Sequence, residues 1–344
     1  MGGTVSMRYR PLGSTGVLVS ELCLGTMTFG SGWGLGGIDA DGADAIVGRS
    51  LDVGVNFIDT ADMYSEGDSE VLLGKALKGG RRDRVVLASK AYGRMGQGAN
   101  DAGLSKWHLV RACEASLKRL DTDRIDLYQI HAFDGLTPLE ETLRALDQLV
   151  NAGKVLNIGF CNLPAWAASK ALGISERLGL AKFVSAQMYY SLVGRDVEHE
   201  VVPLCQSENL ALLPWSPLAG GFLSGKYRRD QAKHPEGSRF ATSKFGEFPP
   251  INKQLGFDVV EKLVETAARL HSTPTTLALA WLLHKPAVTS VIIGARRIEQ
   301  LDDAFAATTI DLSAADLDAI DGLSAPADLY PGWMVKRQAR MRMF

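Results

Sequence analysis

The sequence predicts an α/β protein whose eight parallel strands close into a (β/α)8 TIM barrel. Short apolar strand candidates alternate with longer amphipathic helical patterns, as in successive βα units. Eight such units recur within 344 residues, which matches a closed barrel in number and in size. No low-complexity linker divides them, so we expect one domain over residues 1–344, with residues 1–8 as a flexible N-terminal segment.

The elements follow the order that a barrel requires. Residues 9–20 predict an N-terminal β-hairpin, because apolar residues flank the turn Gly13-Ser-Thr-Gly16. The eight strand candidates lie at 22–25, 55–59, 85–88, 125–130, 155–158, 183–186, 210–213 and 290–293. Helical patterns separate these strands. An extra C-terminal helix at 313–323 and a tail complete the chain.

Two helices carry capping signals. Ser105 is a candidate N-cap, because its hydroxyl can accept a hydrogen bond from the first turn. Thr137, followed by Pro138 and Glu140, has the pattern of a capping box. The helix that starts there ends near Gly153, which suits a left-handed C-cap.

A doubly wound open sheet is the main alternative architecture. Such a sheet usually carries a Gly-x-Gly-x-x-Gly turn between its first strand and a helix. Residues 25–30 have the first and last glycines of that turn, but they lack the middle one, and no helix follows directly. We therefore favour the barrel.

The composition favours a soluble cytoplasmic enzyme. A formal net charge of −2 gives no electrostatic reason to expect nucleic acid or an anionic membrane as partner. No apolar run approaches the ~20 residues of a membrane span, and the first ten residues lack the apolar region of a signal peptide. The four cysteines have neither zinc-ligand spacing nor the density of a disulfide framework, so we expect no metal.

Polar residues lie at the ends of three successive strands, where barrel enzymes place their chemistry. Asp59, Lys90 and His131 end these strands, and Tyr64 follows Asp59 by five residues. Each residue alone has an ordinary structural explanation. As a group, the four residues can act on one another. Lys90 can lower the pKa of Tyr64, and Asp59 can hold Lys90 charged and oriented. His131 can donate a hydrogen bond to a substrate oxygen. Such a group of residues can polarise a carbonyl and protonate it.

These segments resemble the aldo-keto reductase family over nearly the whole chain. The similarity is carried by residues 54–65, 85–90 and 116–131. It implies NADPH-dependent, reversible reduction of a ketone or aldehyde, with Asp59, Tyr64, Lys90 and His131 as catalytic tetrad and Tyr64 as proton donor. The long loop after the seventh strand resembles the branch that includes bacterial aldo/keto reductases and potassium-channel β subunits.

The resemblance also implies a site for NADPH or NADP⁺. Residues 159–162 are similar to the family's Gly-x-Ser-Asn, and residues 215–227 resemble its pyrophosphate loop. Two arginines near 296, at a helix N-terminus, suit a 2′-phosphate and favour NADPH over NADH. The implied cofactor-binding residues are Gly25, Thr26, Asp59, Cys161, Asn162, Gln187, Trp215, Ser216, Leu218, Gly220, Gly221, Lys226, Gly294, Arg296 and Gln300.

Three positions depart from the family pattern. Cys161 replaces a serine, Ala304 stands where many relatives have an asparagine near the adenine, and Ser65 replaces a frequent glycine after Tyr64. None of these departures changes the implied tetrad.

Aromatic residues near the strand ends predict the substrate pocket. Its expected lining is Trp33, Tyr64, Tyr92, His131 and Phe133. Such a lining favours a bulky or partly apolar carbonyl, such as a xenobiotic, a natural product, a toxin or a sugar.

Two alternatives to a carbonyl reductase stay open. The protein could bind NADPH as a redox sensor and act through a partner protein, although no docking segment is visible. A barrel enzyme of other chemistry, such as a metal hydrolase, is disfavoured because no His and carboxylate ligand cluster is visible. The sequence leaves the oligomeric state open.

Overall fold

The computed structural model describes residues 7–32, 37–231 and 233–341. Within them lie ten strands and twelve α-helices. The strands are β1 (Tyr9–Pro11), β2 (Leu18–Ser20), β3 (Leu22–Gly25), β4 (Phe57–Asp59), β5 (Val86–Ala91), β6 (Ile125–Ile130), β7 (Val155–Cys161), β8 (Phe183–Tyr189), β9 (Ala211–Trp215) and β10 (Val291–Ile293). The helices are α1 (Ala40–Asp52), α2 (Asp68–Ala76), α3 (Lys106–Leu120), α4 (Leu139–Asn151), α5 (Ala165–Leu178), α6 (Val201–Glu208), α7 (Arg239–Thr242), α8 (Lys253–Arg269), α9 (Pro274–Leu283), α10 (Ile298–Ala306), α11 (Ala314–Leu323) and α12 (Gly332–Arg340).

Eight parallel strands form the barrel, in the order β10, β3, β4, β5, β6, β7, β8, β9. Strands β3 to β9 pair with their neighbours in sequence, and β10 returns to pair with β3. A parallel bridge between Leu212 and Val288 joins the two ends of the sheet, and the Thr289 N–H donates to the Leu212 carbonyl at 2.9 Å. The predicted (β/α)8 architecture is confirmed.

Side chains alternate between the barrel interior and the helix layer, because successive residues of a strand point to opposite faces. In β6, Leu127 belongs to a small apolar cluster that also contains Phe57 and Leu213. Tyr128 and Ile130 belong instead to the larger core shared with the helices. A polar residue in the same alternation as Leu127 is therefore held inside the barrel.

The predicted hairpin is confirmed, and it packs on the interior cluster. Strands β1 and β2 pair antiparallel, and Leu12 and Val19 join the cluster around Leu127. The fully buried carboxylate of Glu21 pairs with Arg8 at 2.8 Å. Of the segment predicted to be flexible, residues 1–6 lie outside the described residues.

One predicted helix start is right and one is wrong. Ser105 caps α3, since its Oγ accepts from the His108 N–H at 3.3 Å. The capping box at Thr137 does not form, because the Thr137 hydroxyl donates to Asp134 Oδ2 at 2.7 Å. Helix α4 begins one residue later, with Pro138 as its N-cap and no side-chain capping bond.

The C-terminal region contains more helix than the sequence pattern predicted. Helix α11 is confirmed, and α12 follows it with no buried residue. Tyr330 and Trp333 pack against each other with ring centroids 5.9 Å apart, and both side chains are largely exposed. No helix within the three described segments has the length and apolar character needed to cross a membrane.

The turn of the hairpin offers a test of how it packs. Gly13 has a φ of +58°, and a Cβ there would lie 2.2 Å from the Val184 carbonyl oxygen. We expect Gly13→Ala to lower the free energy of unfolding by about 1–3 kcal/mol, through strain and overpacking. Equilibrium urea unfolding measures this change.

Gly16 is the matched control in the same turn. A Cβ at Gly16 would meet no atom within 4 Å, so Gly16→Ala should change the free energy of unfolding by less than about 0.5 kcal/mol. Equal effects of the two substitutions would contradict the packing described for Gly13.

Candidate active site

A buried lysine lies at the centre of the polar cluster at the strand ends. The Lys90 side chain is fully buried, and its Nζ donates to Asp59 Oδ1 at 2.5 Å. The same ammonium donates to the Thr60 carbonyl at 2.8 Å and to Tyr64 Oη at 3.1 Å. Each of its three hydrogens therefore has an acceptor, as a buried charge requires.

Pairing of neighbouring strands brings these groups together. In the parallel pair of β4 and β5, Asp59 is level with Ala88, and the Thr60 N–H donates to the Ala88 carbonyl. Lys90, two residues further along β5, then points to the same side of the sheet as Ala88. The side chains of Asp59 and Lys90 consequently meet inside the barrel mouth.

Tyr64 is presented by an unusual turn. The three residues that follow it all have left-handed backbones, with φ of 48° at Ser65, 58° at Glu66 and 99° at Gly67. This explains why a glycine is frequent at the position of Ser65. The Ser65 hydroxyl stabilises the turn, since it donates to the Phe29 carbonyl at 2.9 Å and accepts from the Gly32 N–H at 3.2 Å.

His131 completes the cluster expected from the sequence. Its ring lies edge-on to the Tyr64 ring, with centroids 5.8 Å apart. Burial lowers the pKa of His131 to about 3, and the charge of Lys90 adds to the shift. The imidazole is therefore neutral near pH 7, and its buried Nδ1 forms no hydrogen bond within the described residues.

Burial and charge act in opposite directions on the other two groups. Burial raises the pKa of Tyr64, and the ammonium of Lys90 opposes this shift without reversing it. Burial also disfavours a charge on Lys90, but Asp59, Tyr64 and Cys161 together outweigh that effect and raise the pKa of Lys90. The sequence predicts that Lys90 lowers the pKa of Tyr64. The charge of Lys90 does act in that direction, but burial raises this pKa by more.

An amide network behind Asp59 includes a residue that the sequence argument missed. Gln129 on β6 and Gln187 on β8 both donate to Asp59 Oδ2, at 3.1 Å and 2.9 Å. Cys161 Sγ, at the end of β7, lies 3.8 Å from Gln129 Oε1. The alternation of β6 could have revealed Gln129, because it shares the inward phase of Leu127.

Asn162 and Trp215 form the wall beside His131. Asn162 donates to the His131 carbonyl at 3.1 Å and accepts from the Trp215 indole N–H at 3.0 Å. The Trp215 ring stacks on Phe248 with centroids 5.9 Å apart and planes inclined by 15°. The long loop after β9 is thereby packed against the barrel mouth.

The loop after β9 has the backbone needed to approach a ligand closely. Gly220 and Gly221 have φ of 68° and 88°, and the Gly220 N–H donates to Ser216 Oγ at 3.0 Å. The Leu218 carbonyl accepts from the Gly221 N–H at 2.9 Å. A Cβ on Gly221 would lie 3.1 Å from Lys226 Nζ, so this glycine leaves room for the lysine.

Three cations converge where the loop meets the last strand. Partial burial and the charges of Arg296 and Arg239 lower the pKa of Lys226, and burial with the charge of Arg296 lowers the pKa of Arg239. No carboxylate among the described residues contributes to either shift. Arg296 Nη2 and Ser238 Oγ are both buried, and neither has a hydrogen-bond partner among the described residues.

Of these groups, Arg239 and Ser238 were not expected from the sequence. They lie at the start of the short helix α7, within the long loop after β9 and beyond its recognised motif. Arg296 Nη1 donates to the Gly237 carbonyl at 3.2 Å, which joins that loop to the segment after β10. Arg297 differs from its neighbour, because its side chain is 74% exposed and lies 4.0 Å from Glu299.

The remaining expected residues occupy the adjoining strand ends. Gln300 Oε1 accepts from the Arg296 N–H at 2.7 Å. Gly25 ends β3, and a Cβ there would lie 2.8 Å from the Ile292 side chain. The Thr26 hydroxyl is buried against Ser69 Oγ at 2.8 Å. Gly294 is exposed just after β10.

The pocket expected from the sequence is only partly described. Trp33 lies outside the described residues. Tyr92 and Phe133 are half-buried after β5 and β6, and Phe133 packs edge-on against Trp166 with centroids 5.6 Å apart. Trp166 is 61% exposed, so it adds aromatic surface beside the mouth that the sequence argument did not name.

A buried carboxyl lies between Asp59 and Tyr64 in the chain. Asp62 is fully buried, and neither of its oxygens forms a well-aligned hydrogen bond within the described residues. Burial raises the pKa of Asp62 to about 8, and Glu70 adds to the shift, while Arg119 and the Met63 N–H oppose it. Asp62 is therefore mostly protonated in the folded protein below pH 8.

Comparisons with known proteins agree with this arrangement. The model of the Aldo/keto reductase family matches residues 21–325. An uncharacterized oxidoreductase, YrpG, from Bacillus subtilis is 38% identical over 95% of this chain and 97% of its own length. A probable voltage-gated potassium channel subunit beta from Arabidopsis thaliana is 37% identical, over 86% and 90%. Norsolorinic acid reductase stcV from Emericella nidulans is also 37% identical, over 89% and 78%.

The raised pKa of Asp62 predicts how stability depends on pH. In the unfolded chain the pKa of the Asp62 carboxyl is ~3.9. Between about pH 4 and pH 8, Asp62 therefore holds a proton in the folded state that it has lost in the unfolded state. Wild-type stability therefore falls through this window as pH rises. Asp62→Asn avoids this loss, and we expect it to be more stable than wild type by about 1–3 kcal/mol near pH 8.5, with a smaller difference at pH 5.

Urea unfolding of both proteins at pH 5 and pH 8.5 checks this expectation. Asp83→Asn, at an exposed position, is the control, and its unfolding curves should follow those of wild type. A difference between Asp62→Asn and wild type that is the same at both pH values would contradict the burial of a protonated carboxyl.

Proposed function

The chain belongs to the aldo/keto reductase family and is an oxidoreductase that acts on carbonyl or alcohol groups; from this premise we propose that it reduces a ketone or aldehyde reversibly with NADPH. The observation that carries the proposal is the buried Lys90 ammonium held between Asp59 and the Tyr64 hydroxyl, with the His131 ring against Tyr64. This geometry supports the proposal, because a hydroxyl, an ammonium and an imidazole lie together at the barrel mouth.

Four residues carry the proton chemistry. Tyr64 donates its hydroxyl proton to the carbonyl oxygen, and Lys90, which donates a hydrogen bond to Tyr64 Oη, stabilises the phenolate that results. Asp59 keeps Lys90 charged inside the barrel. Neutral His131 orients the substrate oxygen by a hydrogen bond and adds no competing charge. In the oxidation direction the same groups return the proton to Tyr64.

The residues around the loop after β9 fit NADPH. Reduced nicotinamide, when bound, supplies the hydride that the carbonyl carbon accepts. Asn162, Gln187 and Trp215 would hold the nicotinamide end. The left-handed glycines of the loop carry no Cβ, so a pyrophosphate could approach the backbone closely. The remaining expected contacts are Gly25, Thr26, Cys161, Ser216, Leu218, Lys226, Gly294 and Gln300.

A 2′-phosphate explains the three cations near the end of β10. Lys226, Arg239 and Arg296 repel one another, and no carboxylate in the part of the chain that the structure describes contributes to the pKa shifts of Lys226 and Arg239. The unpartnered Arg296 Nη2 and Ser238 Oγ are suitable donors to phosphate oxygens. NADH would leave these groups unsatisfied, so we propose that the protein prefers NADPH.

The aromatic side chains around the mouth favour a bulky, partly apolar carbonyl. Tyr92 and Phe133 follow β5 and β6, and Phe133 packs against Trp166 in the first turn of α5. Trp215, at the end of β9, stacks with Phe248. A natural product, toxin or xenobiotic fits such surfaces better than a sugar does. The Emericella nidulans relative, named a reductase of norsolorinic acid, supports an organic substrate of this kind. We also propose that the protein works in the cytoplasm, as its composition predicts.

A redox sensor is the second candidate function. The Arabidopsis thaliana relative is named as a probable potassium channel subunit beta. The name of this relative refers to a channel and not to an enzymatic reaction. Tight NADPH binding without reduction of any carbonyl in a broad panel, together with a stable complex with a partner protein, would favour the sensor over the reductase.

The role of Tyr64 is tested by removing its hydroxyl. We expect Tyr64→Phe to lower turnover by about 10²–10⁴-fold, since a general acid contributes on that scale, and to leave NADPH affinity within about threefold. Stopped assays of carbonyl reduction and fluorescence titration measure the two quantities. Tyr330→Phe, in the exposed tail, is the control. Near-normal turnover of folded Tyr64→Phe would disprove the assignment.

The cofactor preference is tested at two neighbouring arginines. We expect Arg296→Ala to weaken NADPH binding by about 10- to 100-fold, the scale of a lost charge-assisted hydrogen bond, and to leave NADH binding nearly unchanged. Arg297→Ala is the matched control, because Arg297 is exposed. Fluorescence titrations measure the dissociation constants of NADPH and NADH for wild type and both variants. An equal loss for NADPH and NADH would argue against a 2′-phosphate at Arg296.

A further inference from the structure

Gln129 is a fully buried polar residue inside the barrel that the chemistry above does not use. Its Nε2 donates to Asp59 Oδ2 at 3.1 Å, and its Oε1 lies 3.4 Å from Gln187 Nε2 and 3.8 Å from Cys161 Sγ. The backbone makes room for it, since a Cβ on Gly159 would lie 3.2 Å from Gln129 Cγ. Its amide therefore links β6 to side chains from three other strands, β4, β7 and β8.

The network uses both amide hydrogens of Gln187. Gln187 Nε2 donates to Asp59 Oδ2 at 2.9 Å and to Gln129 Oε1 at 3.4 Å. An amide nitrogen has two hydrogens, so both are used. Only the carbonyl oxygen of Gln187 is left to meet a ligand. Without the acceptor on Gln129, the amide of Gln187 could turn and present its nitrogen instead.

The same network fixes the Asp59 carboxylate. Its Oδ1 accepts from Lys90 at 2.5 Å, and its Oδ2 accepts from both glutamines. The two Oδ2 bonds prevent the carboxylate from rotating away from the ammonium. Because a buried carboxylate needs hydrogen-bond donors in place of water, the two glutamine amides also offset part of the cost of burying Asp59.

We propose that Gln129 is a positioning residue of the active site, which holds the Asp59 carboxylate on Lys90 and makes Gln187 present its carbonyl oxygen to the carboxamide of the cofactor. Gln129 acts through Asp59 and Gln187 and touches neither substrate nor cofactor. This inference rests on the proposed function, because it assigns a role within that site.

Gln129→Met tests the proposal at nearly constant side-chain volume. Methionine cannot replace the amide bonds, so we expect kcat to fall about 10- to 100-fold and the NADPH dissociation constant to rise about 3- to 10-fold. The KM for the carbonyl substrate should stay within about threefold, since Gln129 does not touch the substrate. Gln148→Met, on the exposed side of α4, is the matched control and should behave as wild type.

Gln129→Glu separates hydrogen bonding from packing. When protonated, the introduced carboxyl has one donor and one acceptor and can imitate the amide; when ionised, it repels Asp59. We expect kcat relative to wild type to recover as pH falls and to drop to the Gln129→Met level or below as pH rises. Asp59, Lys90, Cys161 and Tyr64 face this position in every variant, so the ratio to wild type isolates the substituted group.

Each outcome decides the question. If Gln129→Met equals wild type in kcat and NADPH affinity, or if Gln129→Glu shows the same loss at every pH, Gln129 merely fills space and the proposal is wrong. If wild type binds NADPH without turnover, the dissociation constants alone decide. If wild type neither binds NADPH nor reduces a carbonyl, the proposed function is wrong and this inference falls with it. Circular dichroism spectra of the variants identify any loss caused by misfolding.

Discussion

The buried ion pair of Lys90 and Asp59 is the interaction on which the rest of the site depends. A fully buried ammonium is costly unless it is paired and hydrogen-bonded, and here its three acceptors come from Asp59, Thr60 and Tyr64. The pairing of β4 with β5 brings these groups together. The barrel is thus required as a rigid frame, because a small shift between these strands would leave the charge unsatisfied.

The constraint extends outward from the pair in two directions. Toward the mouth, the left-handed turn after Tyr64 stores strain of about 1 kcal/mol per residue, which the Ser65 hydrogen bonds to Phe29 and Gly32 offset. Toward the interior, Gln129 and Gln187 fix the second oxygen of Asp59. The Tyr64 hydroxyl, the proposed proton donor, is therefore held from both sides before any ligand arrives.

The charge distribution divides the cleft into two ends. At the tetrad end, positive and negative groups balance within the barrel, and the low pKa of His131 keeps that residue neutral. At the end near Arg296, three cations lie together, and no carboxylate of the described residues contributes to the pKa shifts of Lys226 and Arg239. A ligand with a polar, redox-active end and a multiply charged anionic end matches this division, which is the physical basis of the proposed preference for NADPH.

The sequence by itself determined the order of strands and helices, the hairpin and the polar residues that meet around Lys90, because hydrophobic periodicity and strand-end positions are local properties of the chain. The same local logic failed at Thr137, where the Asp134 carboxylate competes for the hydroxyl. Tertiary structure alone decided that burial outweighs Lys90 in setting the pKa of Tyr64. It also decided that Gln129 joins Asp59 across 70 positions of sequence, and that Arg239 lies close enough to Arg296 for their charges to repel. These contacts depend on barrel closure and loop packing, which no local pattern encodes.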